Sequence, residues 1–143
     1  MQHVSKIVLT ALLAAWLAAG SAAAGQTHVE NLTARQAADL IAGHRRDPSF
    51  VILDVRTPVE FKAGHIQGAV LMDYYDSNFA KRLKRLDRRQ TYLIYCRSGA
   101  RSGRTLQLIK DLGFGRVYHL ERGILSWRRE KLPLVKESGQ ANR

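Results

Sequence analysis

Short apolar runs alternate with amphipathic stretches along most of the chain. The runs at Phe50–Leu53 and Tyr92–Tyr95 are uninterrupted, which is typical of strands that are buried on both faces of a sheet. Between such runs, apolar residues recur at helical spacing, as Ala37, Leu40 and Ile41 do. Strands that alternate with helices predict an α/β fold of three layers, in which helices cover both faces of a parallel sheet.

Capping and turn residues mark the ends of the predicted elements. Thr33 and Gln36 have the spacing of a capping box at the start of the first helix, and Gly43 ends it. Gly113 is the stop signal of a later helix, and Pro133 is expected to end the last one. The predicted strands cover 28–31, 50–53, 69–71, 92–95 and 117–120. The predicted helices cover 33–43, 78–86, 101–112 and a segment beginning at 123, and 56–64 is expected to hold a short helix or turn.

The N-terminal segment has the pattern of an export signal. Lys6 supplies a positive charge, residues 7–19 form an apolar run, and Ala22 and Ala24 are small residues at the spacing of a cleavage site. The apolar run is shorter than the about 20 residues that a membrane-spanning helix needs. We therefore expect a signal peptide over residues 1–24, although cleavage one or two residues earlier fits nearly as well.

Removal of that segment leaves one domain's length of chain. Residues 25–143 are expected to fold as a single domain, with a core from about 30 to 134 and a frayed tail over 136–143. An export signal predicts a periplasmic or secreted protein with no stable membrane insertion after cleavage. No feature of the sequence indicates an obligate interface, so we expect a monomer.

The chain is strongly basic, with 23 Lys and Arg residues against 12 Asp and Glu and a formal net charge of +11. The densest basic run lies at 81–89, where Phe79, Leu83 and Leu86 recur at helical spacing. This pattern indicates the solvated face of an amphipathic surface helix. We therefore expect no nucleic acid partner, and we expect the charge to attract small anions.

Cys96 is the only cysteine, and it directly follows a predicted buried strand. The sequence that follows is Arg97-Ser98-Gly99-Ala100-Arg101-Ser102, and it leads into a helix. A tight strand-to-helix loop directs successive backbone N–H groups inward and forms an anion-binding nest. Such a nest lowers the pKa of a thiol and favours the nucleophilic thiolate. The alternative, a buried cysteine that only fills space, fits poorly beside charged and small residues.

Three motifs span the region from about residue 30 to 134. They are Asp54-Val55-Arg56 with Glu60-Phe61, Gly64-His65-Ile66 and Gly68-Ala69; Cys96-Arg97-Ser98-Gly99 with Arg101-Ser102; and Gly123 with Trp127. Together they resemble the rhodanese-like family of single-domain thiosulfate sulfurtransferases. The resemblance implies a five-stranded parallel sheet with helices on both faces, and catalysis without a cofactor.

The resemblance also implies a role for each site residue. Cys96 would carry sulfur as a persulfide between small sulfur-containing anions and a protein, thiol or cyanide acceptor. Arg97 and Arg101 would bind the donor anion, and the backbone N–H groups of the loop from Arg97 through Ser98, Gly99, Ala100 and Arg101 to Ser102 would stabilise the sulfur anion. Asp54 and Arg56 are expected to position the loop.

Three further residues are expected to have structural roles. Glu60 and His65 lie in a loop-like segment and are interpreted as turn and packing residues. Trp127 is expected in the core. The five histidines lack metal-ligand spacing, so no metal is expected.

Two other functions remain open. A related phosphatase or arsenate reductase would need Cys-x5-Arg, whereas Arg101 comes one position early and Ser102 occupies the arginine position. The shorter loop favours a sulfur anion over tetrahedral phosphate. The second alternative is a non-catalytic carrier that presents a persulfide to a partner. Without a second cysteine, a thiol–disulfide oxidoreductase is disfavoured.

Overall fold

The computed structural model describes residues 26–136. Its elements follow in chain order: β1 His28–Leu32, α1 Ala34–Gly43, β2 Phe50–Asp54, α2 Pro58–Lys62, β3 Val70–Leu71, α3 Phe79–Lys84, β4 Thr91–Tyr95, α4 Ala100–Leu112, β5 Arg116–Leu120 and α5 Gly123–Arg129. The alternation of strands and helices predicted from the apolar runs is confirmed.

The five strands form one parallel sheet in the order β1-β5-β4-β2-β3. Successive side chains of β4 point to opposite faces, as the pleat of a strand requires. Tyr92 and Ile94 pack with α3 and α4, whereas Leu93 and Tyr95 pack with α1 and α5. Helices therefore cover both faces, and the predicted three-layer α/β fold is confirmed.

The capping residues have the predicted effects at two helices. The Thr33 hydroxyl accepts from the backbone N–H of Gln36, and the Gln36 side chain accepts from the Thr33 N–H. Gly113 ends α4 in a left-handed conformation, with φ of 72°. Trp127 is buried in the core as expected.

Several boundaries differ from the prediction. The basic helix was expected over 78–86 but is only the six residues of α3, whose N-cap, Asn78, makes no side-chain capping hydrogen bond. The short helix or turn expected within 56–64 is the five-residue helix α2, and α4 begins at Ala100, one residue early. The last helix ends at Arg129, before Pro133, because the chain turns at Lys131 with φ of 54°.

The order of the strands brings the predicted site residues to one edge of the sheet. In the register of β2 and β4, Asp54 lies opposite Tyr95, so Cys96 begins the loop just beyond that pair. The carboxyl edge of a parallel sheet is where ligand sites form. The predicted signal peptide, residues 1–24, and the tail beyond Lys136 lie outside the described residues. None of the helices within 26–136 is long and apolar enough to cross a membrane.

Candidate active site

The loop after β4 depends on a glycine that no other residue can replace without strain. Gly99 has φ of 99°, and a Cβ built on it would lie 1.8 Å from the carbonyl oxygen of Glu121. Real atoms do not approach so closely, so Gly99 allows the loop to pack against the end of β5. The loop then enters α4 at Ala100.

Two backbone N–H groups near the N-terminus of α5 hold the loop in place. The N–H of Ile124 donates to the Cys96 carbonyl at 2.9 Å, and the N–H of Leu125 donates to the Arg97 carbonyl at 3.1 Å. A Cβ on Gly123 would lie 2.5 Å from both carbonyl oxygens, so this approach requires glycine. These bonds hold the carbonyls away from the thiol and leave the N–H groups of the loop facing it.

Cys96 is buried, with 1% of its surface exposed. Its Sγ lies 3.1 Å from the backbone N of Gly99 and 3.3 Å from the Oγ of Ser102. Burial alone would raise the pKa of the thiol. Hydrogen bonds from the Ser102 hydroxyl and from the backbone N–H groups of Ser102, Gly99 and Ser98 outweigh burial, so the pKa of Cys96 is lowered.

A second polar chain, which the sequence analysis did not identify, leads from Ser102 into the sheet. The Oγ of Ser102 lies 2.8 Å from Nε2 of His119, and Nδ1 of His119 lies 3.0 Å from Oδ1 of Asn31. Ser102 is fully buried and His119 is 5% exposed. Burial lowers the pKa of His119. In the sequence, the only sign of this polar chain was that His119, a polar residue, lies inside the strand predicted over 117–120.

Glu60 forms an ion pair with Arg101 at the entrance to the loop after β4, which we call the mouth of the loop. The Arg101 guanidinium donates to both carboxylate oxygens, at 2.7 and 2.8 Å. Hydrogen bonding to Arg101 lowers the pKa of Glu60 to about 2. Glu60 also accepts from the backbone N–H of Thr57 and so completes a capping box on α2. The turn role expected for Glu60 is therefore present, and the contact with Arg101 is additional. The exposed ring of Tyr75 lies 5.6 Å from the Arg101 guanidinium carbon.

Asp54 and Arg56 form a buried ion pair at the end of β2. Arg56 donates to the Asp54 carboxylate at 2.6 Å and also to the carbonyls of Glu60 and Gly64. Burial opposes the charge of Arg56, but the contact with Asp54 outweighs it and raises the pKa of the guanidinium. The pair therefore fixes the backbone of α2, and α2 positions Glu60 beside Arg101.

The remaining predicted site residues lie around the loop. Arg97, Ser98 and Ala100 are exposed, whereas Gly99 and Ser102 are buried beside the thiol. His65 stacks on Phe61 with ring centroids 3.7 Å apart, which agrees with the packing role expected for it. Among residues 26–136, no three His, Cys, Asp or Glu side chains gather in a way that could hold a metal ion.

A thiol of lowered pKa in an amide-lined loop, at the carboxyl edge of a parallel α/β sheet, is an arrangement typical of proteins that use a cysteine nucleophile. The family model described as "Rhodanese-like domain" matches residues 33–130. The chain therefore belongs to the rhodanese-like sulfurtransferase family.

Individual relatives agree with this membership. A protein of Allochromatium vinosum named "Sulfurtransferase" is 35% identical over 89 residues, which cover 62% of this chain and 81% of the relative. "Probable adenylyltransferase/sulfurtransferase MoeZ" of Mycobacterium tuberculosis is 34% identical over 115 residues, 80% of this chain. The matched region is only 28% of that longer protein.

A solved structure shows the same fold. The rhodanese-related protein from Thermoplasma volcanium superimposes with a TM-score of 0.62 at 28% sequence identity. The match covers 76% of this chain and 99% of that one. The fold implied by the sequence motifs is therefore found in an experimentally determined relative.

Proposed function

We propose that this protein is a thiosulfate sulfurtransferase that carries sulfane sulfur on Cys96. The observation that carries the proposal is the thiol environment, in which the Gly99 N–H and the Ser102 hydroxyl lie 3.1 and 3.3 Å from Sγ. Both groups can donate to a sulfur anion, and they can do so whether the anion is a thiolate or a bound persulfide.

In the first half of the reaction, the Cys96 thiolate attacks the outer sulfur of thiosulfate. A new S–S bond forms to Sγ, the S–S bond within thiosulfate breaks, and sulfite leaves with the bonding electron pair. The charge of the thiolate passes to the terminal sulfur of the Cys96 persulfide. The inward N–H groups of the loop stabilise that terminal anion without reorganisation.

In the second half, a nucleophilic acceptor takes the outer sulfur. Cyanide attacks the terminal sulfur, thiocyanate leaves, and the electrons of the broken S–S bond return to Cys96 as a thiolate. A thiol acceptor reacts in the same way as its thiolate. The donor leaves before the acceptor reacts, so the mechanism is ping-pong with a covalent intermediate and requires no cofactor.

The position of Arg101 argues against phosphate chemistry. A phosphate dianion needs a guanidinium free to bind two of its oxygens. Arg101 instead gives both of its terminal nitrogens to Glu60, at 2.7 and 2.8 Å. In this proposal Arg101 shapes the mouth of the loop and attracts donor anions, and exposed Arg97 supplies further positive charge.

The test is steady-state thiocyanate production from thiosulfate and cyanide by the purified protein. We expect turnover that is abolished in Cys96→Ser, while circular dichroism and thermal unfolding of that variant remain those of the wild type. Persulfide formation without turnover would favour the carrier function. Cys96-dependent hydrolysis of a chromogenic phosphate ester, with no thiocyanate formed, would overturn the sulfurtransferase.

We also propose that the protein works outside the cytoplasm after removal of residues 1–24. The motif of Lys6, the apolar run at 7–19 and the small residues at Ala22 and Ala24 supports this. The intact mass of protein recovered from a periplasmic extract tests it. A mass that includes the first 24 residues would contradict the proposal.

A further inference from the structure

A series of hydrogen-bonded polar side chains leads away from the proposed nucleophilic loop, from Cys96 through Ser102 and His119 to Asn31. Its three contacts measure 3.3, 2.8 and 3.0 Å. These hydrogen-bonded side chains lie on α4, β5 and β1, and the last of them, Asn31, is exposed. Both ring nitrogens of His119 have a partner, and the partner of Nε2, Ser102, is also in contact with Cys96.

The hydrogen-bonding capacity of each group determines which group donates and which accepts in each of these contacts. Oδ1 of Asn31 can only accept, so Nδ1 of His119 carries the proton that joins them. In a neutral imidazole Nε2 is then an acceptor. Ser102 has one hydroxyl proton, and Nε2 at 2.8 Å is closer to Oγ than the Gly99 carbonyl at 3.1 Å or Sγ at 3.3 Å. Ser102 therefore donates to His119 and presents a lone pair to the thiol.

We propose that Ser102, His119 and Asn31 form a proton relay that ionises Cys96, with His119 as the residue that holds the proton. The S–H proton passes to Oγ of Ser102 as the hydroxyl proton passes to Nε2 of His119. The products are a thiolate and an imidazolium, and Ser102 is unchanged. In the ionised state the two hydrogen bonds of Ser102 reverse, so that Ser102 donates to the thiolate and His119 donates to Ser102, while Nδ1 of His119 still donates to Asn31.

The charges around the relay are compatible with both states. Burial lowers the pKa of His119 and so favours the neutral ring, whereas Glu121, beyond the end of β5, and the backbone carbonyl of Gly99 favour the imidazolium. Arg101 of α4 interacts electrostatically with Cys96, although its guanidinium is also paired with Glu60 of α2. The thiolate itself is the anion that lies closest to the imidazolium along the relay.

The relay serves the proposed sulfur transfer, but it can be tested without any sulfur donor. The rate of Cys96 alkylation by iodoacetamide is measured across the pH range, together with the ultraviolet absorbance of the thiolate. His119→Gln keeps a hydrogen-bond acceptor for Ser102 but cannot take a proton. We expect its alkylation profile to move to higher pH, with a loss of about tenfold in rate at neutral pH for each unit by which the thiol pKa rises.

Asn31→Asp tests the relay in the opposite direction. A carboxylate at Nδ1 stabilises the imidazolium, so the relay becomes a stronger base and the alkylation profile moves to lower pH. Asn31 is exposed, so the substitution is expected to leave the fold intact. A merely structural role for His119 would not produce opposite shifts in the two variants.

His65→Gln is the matched control, because His65 is also buried and its Nδ1 contacts only the Phe61 carbonyl. Its alkylation profile should equal that of the wild type. Folded His119→Gln with a wild-type profile would overturn the relay. If His119→Gln does not fold, an unshifted profile in Asn31→Asp overturns it instead. Because alkylation uses no sulfane reagent, it tests the relay even if the protein does not produce thiocyanate.

Discussion

Two polar clusters flank the end of β4, and they differ in whether their groups can exchange protons with the thiol. The ion-pair cluster, Asp54 and Arg56, lies on the β2 side, and each guanidinium nitrogen of Arg56 donates to a carboxylate or a carbonyl. The relay cluster, Ser102, His119 and Asn31, lies on the β5 side and is joined by contacts whose donors depend on the tautomer of His119.

The contrast indicates a division of labour. A guanidinium does not release its proton in a protein, so the ion-pair cluster can fix geometry but cannot exchange protons with the thiol. The relay cluster contains a hydroxyl and an imidazole, which exchange protons readily. We therefore expect substitutions in the first cluster to change stability most, and substitutions in the second to change the reactivity of Cys96.

The largest expected effect is on stability, in Arg56→Leu. This variant leaves the Asp54 carboxylate buried without its partner, which costs about 3–5 kcal/mol of unfolding free energy. Urea unfolding measures the loss. The double variant Asp54→Asn with Arg56→Leu removes the unpaired charge and should recover part of the stability. If Arg56→Leu instead changed the thiol pKa and left stability intact, the contrast between the clusters would be wrong.

The next effect is on the thiol, in Ser102→Ala. Loss of a hydrogen bond to a charged group costs about 1.5–3 kcal/mol, so the pKa of Cys96 rises. Alkylation rates across the pH range report the change. Thr105→Val is the control, because the Thr105 hydroxyl donates to the Arg101 carbonyl one turn further along α4. Equal profiles for the two variants would contradict the role of Ser102.

A smaller effect is expected on donor use, in Arg101→Ala. Loss of the Arg101 charge weakens the attraction of the thiosulfate dianion, so kcat/KM for thiosulfate should fall by the equivalent of ~1–3 kcal/mol. Thermal unfolding should change less than the kinetics do, because the Arg101–Glu60 pair lies at the partly exposed mouth of the loop. Unchanged thiosulfate kinetics would show that Arg101 has no part in binding the donor.

The smallest effect is the dependence of stability on acid, through Glu60. Folding lowers the pKa of Glu60 from 4.5 to about 2, because Arg101 binds the carboxylate. The contribution is therefore complete above about 4.5 and is lost as pH falls through about 2. The pair is partly exposed, so we expect no more than about 1 kcal/mol.

Urea unfolding of wild type and Glu60→Gln at neutral and acid pH measures this contribution. The stability advantage of the wild type should disappear in acid. An advantage that persists at the lowest pH would show that the charge of Glu60 is not its source.

What could be predicted from the sequence was the chemistry that is local along the chain. The position of Cys96 after a strand, the glycine in the loop and the amphipathic helices are patterns within a few residues of one another, and they predicted the sheet and the nucleophilic loop. The contacts of Glu60 with Arg101 and of Asn31 with His119 join residues 41 and 88 positions apart. They depend on strand order and register, which no local pattern contains.

In the proposed function, the thiol of Cys96 has a lowered pKa and accepts a single sulfane sulfur. The most direct measurement is the intact mass of the protein after incubation with thiosulfate, followed by incubation with cyanide. We expect the mass to increase by one sulfur atom, the increase to be reversed by cyanide, and no increase in Cys96→Ser. An unchanged mass in the wild type, or the same gain in Cys96→Ser, would contradict it.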